Sequence, residues 1–315
     1  MKGNRALYLI LVLMGAAWGL VFTLTKIAVS SGYRPFGILV WQMVIMLVAS
    51  VVLLRLRRMT FGLHHRHLLL YFGVAVLGTV FPNYFSYIAA AQLPAGILVI
   101  IVALVPLFAM LIALVIGYEK PSFLRLSGIG FGAMAVAVLV GPEASLPDPE
   151  KVGYVLLAML MPLSYGAEGN FLTWIKTRGH LQLPDPVQIL LGTSLFGLAM
   201  SLPAALIGGQ FITPFQPWGL PEWAILAASL LNWGAYVGYV WLIGRAGPVF
   251  AAQVAYLVTG FGVVWAMLLL EESYSPYIWA ALGLMMVGLF LVQPRNNRQS
   301  MAALVPKPAM GKDAQ

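Results

Sequence analysis

The chain contains no cysteine and very few charged residues. The absence of Cys among its 315 residues excludes disulfide bonds, thiolate nucleophiles and cysteine-ligated metals. Only 9% of the residues are charged and 61% are hydrophobic, whereas about 25% are charged in a typical soluble domain. So few polar side chains cannot cover a core of this size in water. We therefore expect a lipid bilayer to surround most of the outer surface.

Sequence signals for enzymes and cofactors are equally scarce. No phosphate-binding loop is present, so transport driven by ATP would need another chain. We expect no cofactor, no bound metal and no catalytic residue. The net charge of +8 reports membrane orientation more readily than nucleic-acid binding, and we expect no nucleic-acid partner. All four histidines lie in predicted loops, away from any buried serine: His64, His65, His67 and His180.

What the chain has instead is a series of long apolar runs. A membrane-spanning helix needs about 20 mostly apolar residues, and the runs are continuous instead of alternating as they would in a β-barrel. The sequence predicts an all-α polytopic membrane protein with ten transmembrane helices, over 6–29, 36–54, 68–91, 96–118, 123–141, 152–175, 187–207, 223–243, 249–270 and 277–292.

Basic residues predict the orientation of these helices. With both termini in the cytoplasm, 15 of the 18 Lys and Arg residues lie in cytoplasmic segments. The three exceptions are Lys26, Arg34 and Lys151. The polar stretch over 294–315 is expected to be a disordered cytoplasmic tail.

The second half of the chain repeats the first. An offset of 152 positions aligns Tyr84 with Tyr236 and Tyr87 with Tyr239, and an offset of 147 aligns the opening helices. Because each repeat holds five helices, the second copy enters the membrane from the opposite side. We therefore expect two inverted five-helix repeats, over 1–143 and 144–293. The four tyrosines are candidates for closures on opposite sides of a central cavity, or for ordinary interfacial aromatics.

Three segments resemble a known family. They are AAWGLVFTLTKIA (16–28), LVPLFAMLIALVIGYEKPSFLRLSGIGFGAMAVAVLV (104–140) and the weaker VWAMLLLEESYSPYIWAALGLMMVGLFLV (264–292). With them, the chain resembles the drug/metabolite transporter superfamily in its ten-helix EamA-type branch. The second half departs from the pattern at Val258, where the first half has Pro106. The resemblance implies export or exchange of small metabolites such as amino acids across the bacterial inner membrane.

Glu168 is the most expensive residue to place in a membrane. It lies within the sixth predicted helix, where an acidic side chain at the helix centre costs about 2.5–3.5 kcal/mol. Such residues usually face a cavity or a partner. Three interpretations remain open: Glu168 binds a substrate ammonium group, takes up a coupling proton, or pairs with Lys26.

Other polar and aromatic side chains could line a cavity around Glu168. For each amide, a hydrogen bond between helices is the alternative, and for each aromatic ring it is packing. The candidate cavity residues are Trp18, Phe22, Asn83, Tyr84, Tyr87, Tyr165, Asn170, Asn232, Tyr236, Tyr239, Gln253 and Trp265, with the amide Gln42 and the rings Trp41 and Trp233 beside them.

Two further patterns concern architecture. Glu119 and Glu271 end equivalent helices, 152 positions apart, and Glu119 is expected to pair at the interface with Lys120 or Arg125. Small residues in GxxxG spacing permit close helix contact inside the bundle, or in a homodimer: Gly15/Gly19, Gly128/Gly132 and Gly234/Gly238.

The leading hypothesis is a secondary transporter for a small metabolite that works by alternating access, with Glu168 as the candidate for proton coupling. One alternative is a membrane-embedded enzyme that acts on lipid or peptide, with Ser194 as its nucleophile. Another is a membrane scaffold subunit that transports nothing, in which Glu168 would tolerate an apolar substitution.

Overall fold

The computed structural model describes residues 2–61, 65–140, 151–177, 181–246 and 248–292. Within these ranges the regular structure is helical, and no strand is present. The predicted tail over 294–315 lies outside the described residues.

The described residues form ten helical spans. Eight are long and apolar enough to cross a membrane, and the last two are apolar helices of 17 residues each. The predicted all-α, ten-helix architecture is therefore confirmed. The spans are α1 (Lys2–Ser30), α2 (Pro35–Leu56), α3a (His65–Ala75) with α3b (Phe81–Gln92), α4a (Ala95–Val102) with α4b (Val105–Val115), α5 (Phe123–Val140), α6a (Lys151–Ala158) with α6b (Leu160–Thr177), α7 (Pro186–Ile207), α8 (Leu220–Ala246), α9a (Pro248–Ala251) with α9b (Val254–Leu270), and α10 (Pro276–Val292).

Prolines account for the interruptions of three spans. A proline lacks the N–H that would bond the carbonyl four residues earlier, and its ring crowds that carbonyl. Helix α4a ends at Val102, four residues before Pro106, and α6a ends at Ala158, four residues before Pro162. In the third span, Pro82 follows a π-helical segment over Val76–Val80, which absorbs the mismatch without ending the span.

The ninth span is also interrupted, although it has no proline at the position equivalent to Pro106. The break falls at residues 252–253, earlier than Val258, and leaves α9a only four residues long. The predicted continuous helix over 249–270 is wrong at this point. The fourth span likewise ends at Val115 and not at residue 118.

The packing of the spans has the symmetry of an inverted repeat. Helix α1 packs on α8 and α9, and its counterpart α6 packs on α3 and α4. Helix α3 packs on α7, as α8 packs on α2. The pairs α2–α7, α4–α9 and α5–α10 each map onto themselves when the halves are exchanged. Such a pattern is what a pseudo-two-fold axis in the membrane plane produces.

Two hydrogen bonds at opposite ends of the bundle repeat the same contact. Trp41 on α2 donates its indole N–H to the carbonyl of Ile212, over 2.9 Å. At the other end, Gln188 on α7 donates its amide to the carbonyl of Thr60, over 2.7 Å. The offsets of 147 and 152 positions relate these pairs. We call the end with the α1–α2, α3–α4, α7–α8 and α9–α10 loops the distal end, and the opposite one the proximal end.

Glycines allow the closest helix contacts inside the bundle. A Cβ added at Gly19 on α1 would lie 2.7 Å from the amide nitrogen of Gly262 on α9b. A Cβ at the equivalent Gly166 on α6b would lie 2.7 Å from the amide nitrogen of Ala109 on α4b. Gly128 on α5 faces α10 in the same way. Of the predicted GxxxG glycines, Gly19 and Gly128 are therefore used for packing within the chain, whereas a Cβ at Gly234 would meet nothing within 4 Å.

Candidate functional site

The carboxyl group of Glu168 lies against the π-helical segment of the third span. A Cβ added at Gly78 would come 2.5 Å from the carboxyl carbon of Glu168, so glycine is what leaves room for it. Glu168 is half-buried, and no hydrogen bond or ion pair joins it to any residue that the structure describes. Its predicted alternative partner, Lys26, instead donates to the carbonyl of Ala90 over 2.7 Å. The hypothesis of a Glu168–Lys26 pair is wrong.

A chain of hydrogen bonds runs from the neighbourhood of Glu168 across three spans. Tyr165, one turn before Glu168 on α6b, donates to Asn83 on α3b over 3.1 Å. Asn83 donates its amide to the side-chain oxygen of Gln42 on α2, over 3.1 Å. Tyr87 donates to the same oxygen over 2.8 Å. The chain orients the Tyr165 hydroxyl, because each acceptor in it is fixed by a second helix.

The second half of the molecule faces this carboxylate through α8. Tyr165 of α6b and Tyr236 of α8 both lie near enough to Glu168 for its charge to act on their hydroxyl groups, and Tyr236 packs against a buried cluster from α2 and α7. One turn along α8, the Tyr239 ring lies 5.6 Å from the ring of Trp18 on α1. Helices from both repeats thus meet around a single unpaired acid.

Trp18 also connects α1 to α8 by a hydrogen bond. Its indole N–H donates to the side-chain oxygen of Asn232 over 2.9 Å. This contact holds the amide of Asn232 in a fixed orientation near the Tyr239–Trp18 ring pair. Phe22, one turn further along α1, packs against the buried core.

Several candidate cavity residues have structural partners instead. Asn170 donates its amide to the backbone carbonyls of Ala109 and Gly166, both over 2.9 Å. Trp265 donates to the carbonyl of Ala16 over 3.0 Å. These two side chains join neighbouring helices, as the packing alternative predicts.

Gln253 and Tyr84 also lie away from Glu168. Gln253 is exposed at the break of the ninth span. The ring of Tyr84 stacks 4.8 Å from that of Phe36, at the distal end of the bundle. The structure thus places Tyr165 and Tyr236 near Glu168. Tyr84 lies instead at the distal end, and Gln253 lies at the break of the ninth span.

A buried glutamate at the distal end, Glu222, is not among the residues that the sequence predicts to be functional. Glu222, which is 4% exposed, accepts hydrogen bonds from Tyr33 and from Gln216. It also accepts from the backbone amide of Gly219 over 2.8 Å, which caps the start of α8. Burial and the hydrogen bond to Glu222 raise the pKa of Tyr33. The α1–α2 loop is thereby fixed to the second repeat.

The other distal contact involves Glu272 and not its neighbour. Glu271 ends α9b in the left-handed conformation, with φ 55°, and is exposed. Glu272 accepts hydrogen bonds from the backbone amides of Ala95 (2.7 Å) and Gly96 (3.2 Å), at the start of α4a. Tyr274 donates to the same carboxylate, and burial together with this bond raises the pKa of Tyr274.

Glu119, the partner of Glu271 in the repeat alignment, has the expected surface role. It forms an ion pair with Arg125 over 2.7 Å, with 46% of the Glu119 side chain exposed. The predicted interfacial pair is confirmed, and at that exposure it contributes little to stability. The helix-end glutamates that stand out in the sequence are therefore not those that join the two halves.

The serine on which an enzymatic alternative rests is not placed for catalysis. Ser194 is fully buried on α7 and donates to the carbonyl of Leu190 in the preceding turn, over 2.7 Å. Among the described residues, no group of three or more acidic or histidine side chains could hold a metal ion. What the site offers is a carboxylate, phenol hydroxyls and amides, which are groups for binding.

Two inverted helical repeats that meet at a buried acid define a multi-pass membrane protein of the transporter type. The chain belongs to the EamA-like transporter family, which matches residues 5–141 and 153–293. This confirms the resemblance to the drug/metabolite transporter superfamily.

Two matches show a distant similarity to other proteins. The chain is 25% identical over 223 residues to the WAT1-related protein At5g47470 of Arabidopsis thaliana, a match that covers 60% of this chain and 57% of that protein. A crystal structure of another protein is similar in fold, with a TM-score of 0.59 at 15% identity. That match covers 94% of this chain and 99% of the other.

Proposed function

We propose that this protein is a secondary transporter that exports a small polar or amphipathic metabolite, such as an amino acid, across the bacterial inner membrane. In this proposal the repeats over 1–143 and 144–293 alternate between two access states, and both chain ends face the cytoplasm. The distal end is then the outer side. The observation that carries the proposal is the unpaired carboxylate of Glu168 where both repeats meet.

The chemistry of Glu168 suggests what it binds. An ionised carboxylate that is partly desolvated and has no cationic partner is unfavourable. A substrate ammonium group or a proton would neutralise it. The Tyr236 hydroxyl is near enough for the charge of Glu168 to act on it, whereas the Tyr165 hydroxyl already donates to Asn83. We therefore propose that Glu168 is the cation-binding group of the transport cycle, with a proton as the second candidate.

Counterflow in proteoliposomes tests this function. Wild-type protein and the variants Glu168→Gln and Glu271→Gln are compared with amino acids, nucleosides and organic cations at two pH values. Glu271 is an exposed carboxylate that loses the same charge without touching the site, so Glu271→Gln is the matched control. We expect the initial rate of Glu168→Gln to fall on the order of tenfold or more, since a charge-assisted bond is about twice as strong as a neutral one.

The outcomes separate the hypotheses. Equal rates and equal pH dependence in wild type and Glu168→Gln would remove Glu168 from the transport cycle. Absence of counterflow for every class of solute would contradict the transporter itself. A rate that falls only for cationic solutes would identify the substrate ammonium as the ligand, and a lost pH dependence would identify the proton.

A further inference from the structure

Glu272 joins the second repeat to the turn between α3b and α4a in the first. Both of its carboxylate oxygens accept backbone amides of the first turn of α4a, those of Ala95 and Gly96. The hydroxyl end of Tyr274 occupies the space where a side chain at position 96 would stand, so Gly96 is required for this approach. An anion at a helix N-terminus also interacts favourably with the helix dipole.

Lys26 completes the contact from the other side of the same turn. Its ammonium group donates to the carbonyl of Ala90 in the last turn of α3b, which is the favourable place for a cation. The charges of Lys26 and Glu272 attract each other, and Lys151 is close enough for its charge to repel that of Lys26. We call Lys26, Glu272, Tyr274 and the start of α4a the Glu272 cluster.

A small cavity lies between the two repeats toward the same end. This cavity, of about 20 Å³, is lined by α1, α2, α3b and α8, with Thr25, Gln42, Tyr87 and Ser229 among its walls. That volume holds about one water molecule. Among the described residues, α1, α2, α3b and α8 of the two repeats therefore leave little space between them here.

Among the described residues of the proximal end, no carboxylate takes the place that Glu272 has at the distal end. The repeat offset of 152 pairs Glu272 with Lys120, so a basic residue stands where the acid would be. The helix equivalent to α4a is the four-residue α9a, half the length of the eight-residue α4a. The Glu272 contact is therefore a feature of the distal end that the repeat does not reproduce among the described residues.

We infer that the Glu272 cluster closes the distal end, and that Glu272 must release α4a before a solute can pass between the repeats on that side. This inference rests on the proposed transport function. It makes Lys26 and Tyr274 positioning residues. Tyr274 holds the carboxylate of Glu272, Lys26 holds the last turn of α3b, and neither lines the small cavity.

Thiol labelling tests this inference, because the chain has no native cysteine to interfere. Ser229→Cys places a thiol in the small cavity, where Ser229 is 2% exposed. Thr213→Cys places one on the exposed α7–α8 loop at the same end. The full chain in proteoliposomes is treated with a membrane-impermeant maleimide on the side that reaches Thr213→Cys. The rate of modification at position 229 is then measured.

We expect Glu272→Gln to raise the labelling rate at position 229 by about tenfold, which corresponds to about 1.4 kcal/mol. Glu271→Gln is the control and should leave the rate unchanged, as should both substitutions at position 213. Tyr274→Phe removes one hydrogen bond and should give a smaller rise, which keeps the test informative if Glu272→Gln folds poorly.

Unchanged labelling at position 229 in both Glu272→Gln and Tyr274→Phe would overturn the inference. Counterflow with the same preparations distinguishes it from the proposed function. Faster labelling without counterflow for any solute would support closure by the Glu272 cluster and contradict the transport function. Normal counterflow with unchanged labelling would support the transport function and contradict closure by the Glu272 cluster.

Discussion

The contact between Gly78 and Glu168 offers a direct test of whether the position of the carboxylate matters. In Gly78→Ala, the new Cβ would lie 2.5 Å from Cδ and Oε1 and 2.6 Å from Oε2 of Glu168. Ordinary van der Waals contact begins at 3.4 Å, so the carboxyl group must move by about 0.9 Å. It can do so because it is the free end of a flexible side chain.

The stability of the fold should barely change in this variant. A shift of the Glu168 side chain away from its preferred rotamer costs about 0.5–1.5 kcal/mol. Replacing glycine in a helix by alanine stabilises the helix by about 0.5–1 kcal/mol, which offsets most of that cost. We therefore expect nearly the same midpoint of thermal unfolding in detergent as for the wild type.

Transport should respond much more strongly. A misplacement of about 1 Å in a binding group can reduce a rate by up to about a hundredfold, and we expect a loss of counterflow on the order of tenfold. Gly169→Ala is the matched control, since it lies next to Glu168 on α6b and a Cβ there meets nothing within 4 Å. Equal counterflow in Gly78→Ala and Gly169→Ala would refute the idea that the site depends on the placement of Glu168.

Two further predictions concern packing and hydrogen bonding. Gly19→Ala and Gly166→Ala place a Cβ against backbone atoms, so each should lower the free energy of unfolding by about 1–3 kcal/mol, measured by denaturation in detergent. Gly153→Ala, in open space on α6a, should be neutral, and equal behaviour of all three would contradict the close contacts. Asn83→Ala leaves Tyr165 without its acceptor and should cost about 1 kcal/mol by the same measurement, together with slower counterflow. If Asn83→Ala unfolded and transported like the wild type, the hydrogen bonds through Asn83 would not be needed to orient Tyr165.

The sequence could predict the fold because its signals are local. Runs of about 20 apolar residues identify the ten spans. Because each repeat contains five spans, an odd number, the second repeat must be inverted in the membrane relative to the first. Pro82, Pro106 and Pro162 could each have predicted an interruption four residues earlier, since the missing N–H acts within one turn. The break in the ninth span has no such signal and was not predicted.

The candidate site could be predicted only in part. Glu168 stands out because an acid in an apolar helix is expensive wherever that helix is packed. Other outcomes depend on how each helix is rotated about its axis. They are that Glu168 does not pair with Lys26, that Asn170 packs between helices and that Gln253 is exposed. Hydropathy and spacing carry little information about that rotation.

By itself, the sequence determined a ten-helix membrane protein of two inverted repeats with one costly acid in its interior. Only the tertiary structure decided which glutamates join the halves. Glu271 and Glu272 are neighbours in the chain, yet the left-handed turn at Glu271 directs it to the surface and leaves Glu272 to bind the start of α4a. The physical reason is that Ala95 and Glu272 are 177 positions apart, so their contact exists only once the spans between them have packed.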